Sequence, residues 1–507
     1  MPSIDLGDTT TKTAVLTPHG ETRLVADING DTLAPTCMCR QGTGKLIVAR
    51  PALQQGYVTP GACARDIKRK LGTSESVIND DPPLTACDAA AAMMAHARES
   101  VERAERATVR AFVLTKPVNA RDDYSSDLLR AADSAGIEVV RLISEAEGPA
   151  LNLSLRRPGM HATLGVCDIG GSTCDIAIVR VEDVHLRVLG AAGTSYGGHF
   201  FNGIIKARVL SDLQEQDIAI PSRTDDPLFE FDLDERTEVN KRFLSINPET
   251  TLTVTVNGRH VPIVISRSWL LEQSQSAFDA WSSAINEGLS MAGIGAQDVD
   301  DWILAGGGAR PLFAQDVIAA HINRRPLIDE EPEKTVASGA AILCASILAA
   351  EGRAAHTVQR AIRAHQFTLH SITTHGLGIA TYDRAAGAVV HSVVIQKGTA
   401  IPCERTEEYY LEHEDQTTAV VDVLQGEADA DQADCVLIGS AQLDNLPKEP
   451  MRTRRIKVTF SLDNNGMASV VVTDTVSGQT QDVSINCQEA VLTEPSAAAH
   501  APEHQQQ

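Results

Sequence analysis

Two hydrophobic rhythms alternate along residues 1–365. Short apolar runs at Ala111–Leu114, Val139–Ile143, Gly165–Asp168, Ile176–Val179, Leu252–Val256 and Trp302–Ala305 read as strands. Between them, apolar residues spaced three and four apart predict helices over Leu84–Thr108, Tyr124–Ala135, Gly203–Gln214, Trp269–Met291, Leu312–Ile322 and Thr335–Ala350. Their alternation predicts an α/β architecture. The alanine-rich composition of the last helix suits close packing. After residue 365 the period becomes two. Ile456, Val458, Phe460 and Leu462, then Val470 and Val472, flank Asp463-Asn464-Asn465-Gly466, whose Asn-Gly pair favours a tight hairpin turn. An all-β domain is expected over 373–490, joined to residues 1–365 by a linker at 366–372. The polar and alanine-rich end, 491–507, is expected to be disordered.

Three small-residue turns stand where strands of the first region end. In Leu164–Val179 an apolar strand reaches Asp168, turns through Gly170, Gly171 and Ser172, and resumes after Thr173 and Asp175. Such a tip can press backbone N–H groups against phosphate oxygens, because no Cβ stands in the way. A glycine turn with solvated acids accounts for this stretch equally well when it is taken alone. The pattern recurs near the start, where Asp5, Leu6, Gly7, Asp8, Thr9, Thr10 and Thr11 precede Lys12. Two such hairpins suggest an internal duplication, each half giving one phosphate clip to a shared cleft. The third turn, Gly306-Gly307-Gly308, lets backbone approach a ribose or flat ring, with Arg310 available to stack on a base. No GxxxxGK[ST] occurs, so the chain is not a P-loop protein.

Bulk properties change this picture only a little. At 507 residues the chain exceeds the about 250–300 at which single cores stop growing, so more than one domain is expected. A net charge of −23 argues against a nucleic-acid footprint and against anionic membrane surfaces. No apolar run reaches the about 18 residues of a spanning helix, and the start shows no secretory pattern, so a cytoplasmic location is expected. The ten cysteines show no zinc spacing and read as free, buried thiols.

Blocks in a fixed order sharpen the reading: IDLGDTTTKTAV (4–15), DIKRKLGT (66–73), LISEAEGPALNL (142–153), DIGGSTCDIAI (168–178), LAGGGARPL (304–312) and EPEKTVASGAA (331–341). GLGIAT (376–381), KGTAIP (397–402), VLQGE (423–427) and VTFSLDNNG (458–466) continue the series. Over nearly its whole length the chain resembles the 70-kDa heat-shock protein (DnaK-type) chaperone family of the actin-like ATPase superfamily. The resemblance implies a two-lobed actin-like ATPase domain with a duplicated core. A β-sandwich peptide-binding domain follows it, and no helical lid follows Ile485.

The resemblance also implies roles. Asp5 and Asp168 hold magnesium through its water shell, and Thr9 and Thr173 donate to phosphate oxygens. Asp175 orients water or a potassium ion, Lys68 stabilises charge on the terminal phosphate of ATP, and Glu145 joins the water and metal network. Gly7, Asp8, Thr10, Lys12, Gly170, Gly171, Ser172, Gly197 and Gly198 line the phosphates. Glu238, Lys241, Arg242 and Ser245 contact the adenosine from one side, and Gly306, Gly307, Gly308, Arg310 and Glu333 from the other. Ile379, Tyr409, Ala419 and Val421 line the groove for extended apolar peptide. Implied partners are unfolded peptide clients with J-domain and nucleotide-exchange cochaperones; nucleic acid and membrane are not among them.

Departures from the family pattern set the alternatives. Asp8 stands in place of a threonine, and Lys12 has the spacing of a phosphate-contacting lysine in actin and sugar kinases. The two are expected to compensate one another's charge. His199 replaces an acid and reads as a surface or core histidine, Ala146 replaces a proline, and the linker has lost its acidic residues, leaving Phe367 and Leu369 to dock as a strand edge. The main expectation is an ATP-hydrolysing chaperone of slow turnover. The alternatives are a regulatory or exchange-factor-like nucleotide-binding relative, and an actin-fold sugar-kinase-type phosphotransferase, against which the Lys68 and Glu145 pair and the β domain weigh.

Overall fold

One five-strand plan is built twice. Pro2–Leu6 pairs antiparallel with Thr10–Leu16, which continues to Thr22–Leu24. On its other side Pro2–Leu6 runs parallel to Ala111–Lys116, and that strand runs parallel to Glu138–Ser144. His161–Ile169, Cys174–Glu182, His185–Thr194, Asp301–Ala305 and Leu327–Ile328 repeat the same order and the same directions. Parallel neighbours need crossover connections, and helices Ala86–Glu105 and Gln275–Ala292 supply them at matching places. The fold is therefore mixed α/β, as the two rhythms indicate.

The computed structural model describes every residue except 80–81, 223–225, 355–365, 384–387, 412, 414, 428–434, 450–452 and 486–507. The expected tail at 491–507, the end of the first domain at 365 and the region after Ile485 where no lid is expected lie outside the described residues. Two units are defined. The first comprises Met1–His375 with Lys397–Cys403 and Leu462–Met467; the second holds the other described residues from Gly376 onward.

In the first unit the corresponding helices of the two repeats, Glu147–Arg156 and Thr335–Ala350, cross at glycine. A Cβ on Gly339 would run into the carbonyl oxygen of Gly148, and one on Gly148 would stand 2.5 Å from the Val336 oxygen. The alanine-rich face permits this approach, and Ala337, Ala340, Ala341 and Ala345 are fully buried. Among the described residues only the stretch Pro332–Ala350 is long and apolar enough to cross a membrane, and 72% of it is buried inside the structure. It is a core helix.

Other elements depart from the sequence expectation for identifiable reasons. The helix expected over Trp269–Met291 is split into Arg267–Gln273 and Gln275–Ala292. The break falls at Ser274, at φ −100° and ψ 9°, whose hydroxyl donates to Leu270 O at 2.6 Å. The helix expected from Gly203 begins at Gly198, because Gly198 N and His199 N donate to Gly170 O at 3.0 Å and Gly171 O at 2.7 Å. Tertiary partners satisfy the free N–H groups of its first turn. The expectation of ten free thiols is corrected: Cys39 and Cys63 are joined in a disulfide. The strands Met38–Arg40 and Cys63–Ala64 pair antiparallel with these two residues directly opposite, a register hidden by their separation of 24 residues. The segment expected as a linker forms a strand. Thr368–His370 runs parallel to His185–Arg187, and Phe367 and Leu369 are buried beside it.

The second unit is a single eight-stranded sheet in the order Ala388–Ile395, Gly376–Asp383, Ala419–Gly426, Val436–Leu443, Thr480–Ile485, Ala468–Asp474, Arg454–Leu462, Cys403–Tyr410. Tyr409 Oη on the last strand lies 3.1 Å from Ser392 Oγ on the first, so the sheet folds back on itself into two layers. Val458, Phe460, Val470 and Val472 fill the space between, as their period of two indicates. At the turn after Asp463 only Gly466 takes a positive φ, of 77°.

One polar group is locked inside this unit. Arg455 Nε and Nη2 donate to Asp474 Oδ1 and Oδ2, both at 2.6 Å, with the side chains 2% and 0% exposed. The guanidinium, joined by the Ser477 hydroxyl and N–H, holds the Asp474 carboxyl well below the usual range. A depressed folded-state pKa stabilises above the unfolded value of about 4, and this stability is lost as pH falls through the folded value. Asp474→Asn should therefore destabilise the β unit by about 3–5 kcal/mol at pH 7, because it leaves a buried guanidinium without its counter-charge. Urea denaturation of the full chain measures it, and the deficit should shrink below pH 4.

Candidate active site

The two hairpin tips face each other within the first unit. A Cβ on Gly171 would lie 2.7 Å from Thr9 Oγ1 and 3.2 Å from His199 Nε2, so only glycine lets the second tip approach the first. Gly306, at a φ of +77°, likewise brings the third turn against the base of the second hairpin, where a Cβ would meet Asp168 Oδ1 at 2.5 Å. Gly197 N donates to Ser172 O at 3.2 Å, tying a further glycine pair to the same tip. The cradle is thus made of backbone drawn from four segments.

Charge is packed into it. Lys68 Nζ donates to Glu145 Oε1 at 2.5 Å, both side chains being 5% exposed. Lys12 Nζ donates to Asp5 Oδ2 at 2.8 Å, and Thr115 Oγ1 donates to Asp5 Oδ1 at 3.0 Å. The expected mutual compensation of Lys12 and Asp8 is corrected here: Lys12 serves Asp5, its cross-strand neighbour, while Asp8 meets His199 and Arg69. Asp175 accepts from Thr173 Oγ1 at 2.6 Å and from Val118 N at 2.7 Å, so both its oxygens and the Thr173 hydroxyl are engaged. Asp168 sits directly opposite Asp175 in the hairpin register, and its Oδ1 is buried without a hydrogen-bond partner.

Burial, then the charges of Glu145, Asp175 and Asp5, hold the Asp168 carboxyl well above its usual range. Burial also pushes Glu145 up, with Asp5 and Asp175 adding to it against the pull of Lys68. Asp5 is held low, because Lys12 and Lys68 outweigh its burial. A site with crowded carboxylates, an open Asp168 oxygen and glycine-lined backbone suits a hydrated divalent cation with phosphate. Among the described residues no group of three or more His, Cys, Asp or Glu side chains is arranged to hold a metal directly.

The adenosine-side residues form two further groups. On helix Pro227–Leu244, Glu238 receives Lys241 Nζ at 2.5 Å, Arg242 Nε at 2.7 Å and Asn202 Nδ2 at 2.9 Å. Burial opposes it, yet Lys241 and these partners hold the Glu238 carboxyl at about 2. Lys241 also donates to Gly198 O at 3.2 Å, and Ser245 Oγ donates to Lys241 O at 3.3 Å, which links this helix to the cradle. Arg310 and Glu333 form a bidentate pair beside Gly307, so the guanidinium is held by a carboxylate.

In the second unit Ile379, Ala419 and Val421 are buried, and pairing of Ile379 with Val423 puts all three on one face of the sheet. Tyr409 stands on the strand at the other end of the sheet order.

Sequence reasoning missed Thr115, Arg69 and Asn202 and gave His199 no role. Thr115 carried a weak signal, being on the strand parallel to Asp5's own. Arg69 follows Lys68 directly in the chain, but nothing local shows which way either points.

Comparison with known proteins places the chain among its relatives. A family model described as Hsp70 protein matches residues 77–506. The chain is 27% identical over 488 residues to the chaperone protein DnaK of Thermotoga neapolitana, covering 95% of this chain and 79% of that protein. It is also 27% identical over 490 residues to that of Thermosipho africanus, with the same coverage. The DnaK of Thermosipho melanesiensis is 26% identical over 490 residues, again covering 95% and 79%. The chain belongs to the Hsp70 family.

The unpaired Asp168 gives a direct test. A carboxyl with a raised folded-state pKa costs stability as pH rises, because the folded protein must give up a proton it holds tightly. Asp168→Asn should raise the thermal midpoint of the metal-free, nucleotide-free protein at pH 8 by a few degrees. The gain should be smaller at pH 5.5. Scanning calorimetry at the two pH values measures both.

Proposed function

We propose that this chain is an ATP-hydrolysing molecular chaperone of the Hsp70 type, acting on unfolded or extended apolar peptide segments with release coupled to ATP binding and hydrolysis. The observation that carries the proposal is the buried Lys68–Glu145 pair beside two opposed glycine hairpin tips, in a chain of this family. In this reading the first unit is an actin-like, two-lobed ATPase domain, and its repeated strand order supports the duplication that architecture requires. The curated relatives are chaperones by name, and they cover 95% of this chain.

Lys68 provides a fixed positive charge for the terminal phosphate, and Glu145 takes part in holding the attacking water. Backbone N–H groups of the two tips bind phosphate oxygens, aided by Thr9, Thr10, Ser172 and Thr173. Phosphoryl transfer to water asks mainly for such positioning and electrostatic stabilisation. Asp5 and Asp168 would hold magnesium through its water shell, where it would neutralise phosphate charge, and Asp175 would orient water or a potassium ion. The open Asp168 oxygen supports that assignment. Glu238, Lys241, Arg242 and Ser245 hold adenosine against Gly306, Gly307, Gly308, Arg310 and Glu333, the two charged pairs opening to do so.

The second unit binds peptide along the face bearing Ile379, Ala419 and Val421, near Tyr409. The partners proposed are peptide clients and the family's J-domain and nucleotide-exchange cochaperones, and the setting proposed is the cytoplasm.

Two measurements test this. Lys68→Ala should abolish single-turnover ATP hydrolysis while nucleotide still binds, and unaltered hydrolysis would remove Lys68 from the mechanism. ATP should speed dissociation of a fluorescent apolar peptide from the wild-type chain. Equal rates with ATP, ADP and no nucleotide would show that peptide release is uncoupled from the nucleotide.

A further inference from the structure

Asp8 is a buried anion at the tip of the first hairpin, its side chain 1% exposed. Its Oδ2 lies 3.0 Å from His199 Nε2 and 3.2 Å from Arg69 Nε. Arg69 is the permanently charged partner of this carboxylate, and His199 is its neighbour from across the cleft. His199 comes from the other repeat. Its backbone N–H is pinned to Gly171 O at 2.7 Å, and its ring reaches across to Asp8, with Thr9 Oγ1 3.4 Å from the same Nε2. One imidazole therefore ties the two phosphate tips together, with its backbone fixed to one and its ring paired to the other. The charge of Lys68 also acts on Asp8, which puts Asp8 toward the end of the cleft where the Lys68–Glu145 pair stands. Burial alone would push the Asp8 carboxyl up, yet His199, Arg69 and Lys68 hold it below the usual range.

A carboxylate held between an imidazole and a guanidinium occupies an anion's place. Of a nucleotide lying from the Gly306 turn toward Lys68, the terminal phosphate is the group that comes nearest to it. We infer that Asp8 discriminates between nucleotides by their terminal phosphate, its buried negative charge tolerating a nucleoside diphosphate and repelling the third phosphate of a triphosphate. This rests on the nucleotide reading given above. The third phosphate brings negative charge toward a carboxylate already paired with Arg69, and the two anions exclude one another.

The variants have opposite signs. Asp8→Asn keeps the shape and removes the charge, and Asp8→Thr removes the charge and leaves a hydroxyl. Both should shift preference toward the triphosphate. His199→Ala leaves Asp8 charged with one partner fewer, and should shift preference toward the diphosphate. The test is equilibrium binding of ADP and of a non-hydrolysable ATP analogue, with magnesium, to the full chain and to each variant. The ratio of the two dissociation constants is the readout, which a general loss of stability would leave unchanged. The expected shift is about tenfold toward the analogue in both Asp8 variants and the reverse in His199→Ala. The double variant Asp8→Asn with His199→Ala should match Asp8→Asn alone. Ratios within about twofold of wild type in both Asp8 variants overturn the inference while leaving nucleotide binding intact. Failure of the wild-type chain to bind either nucleotide overturns the nucleotide reading itself, and the inference with it.

Discussion

The first unit depends on a contact made without side chains. Gly148 and Gly339 let helices Glu147–Arg156 and Thr335–Ala350 touch backbone to backbone. Each helix follows the last strand of its own five-strand repeat, so their crossing sets the spacing of the two repeats. Glu145 stands just before one helix and Glu333 just before the other. The spacing of the hairpin tips and the placing of these two acids are therefore set by the same backbone approach. A larger residue at either glycine would wedge the repeats apart, which a well-packed interior resists.

What the repeats enclose is electrostatically uneasy. Asp5, Asp8, Glu145, Asp168 and Asp175 are all buried, and Lys12 and Lys68 are the lysines that meet them. The arrangement is tolerable because each acid has a different solution. Asp5 takes a lysine and a threonine, Asp175 takes a backbone N–H and a hydroxyl, and Asp8 takes an imidazole and a guanidinium. Asp168 has the least relief. Fixed dipoles and charges held ready before a ligand arrives are what an electrostatic catalyst needs, and some lost stability is the ordinary cost of such a site.

Much of this was legible in the sequence where chemistry is local. The helices Leu312–Ile322 and Thr335–Ala350 have the bounds their periodicity predicts, and both hairpins turn at their glycines. The legible features are those that a few consecutive residues decide. The illegible ones depend on what a distant segment offers. Gly198 starts a helix on carbonyls of another hairpin. Cys39 meets Cys63 through a strand register, and Asp8 finds His199 rather than Lys12. Lys12 points to Asp5 because residues opposite each other in the hairpin share a face, a relation available in the sequence once the register is drawn.

The strand Thr368–His370 has a role that its sequence does not advertise. It pairs with His185–Arg187 at the open side of the second sheet, where these residues would otherwise present unpaired N–H and C=O groups. Exposed sheet edges recruit other extended chains, and proteins guard against this by covering them. Phe367 and Leu369 anchor the cover in the core. If this short segment lifts away, it uncovers a template for self-association together with two apolar side chains. A state in which this strand is free would therefore carry a risk of aggregation that the docked strand avoids.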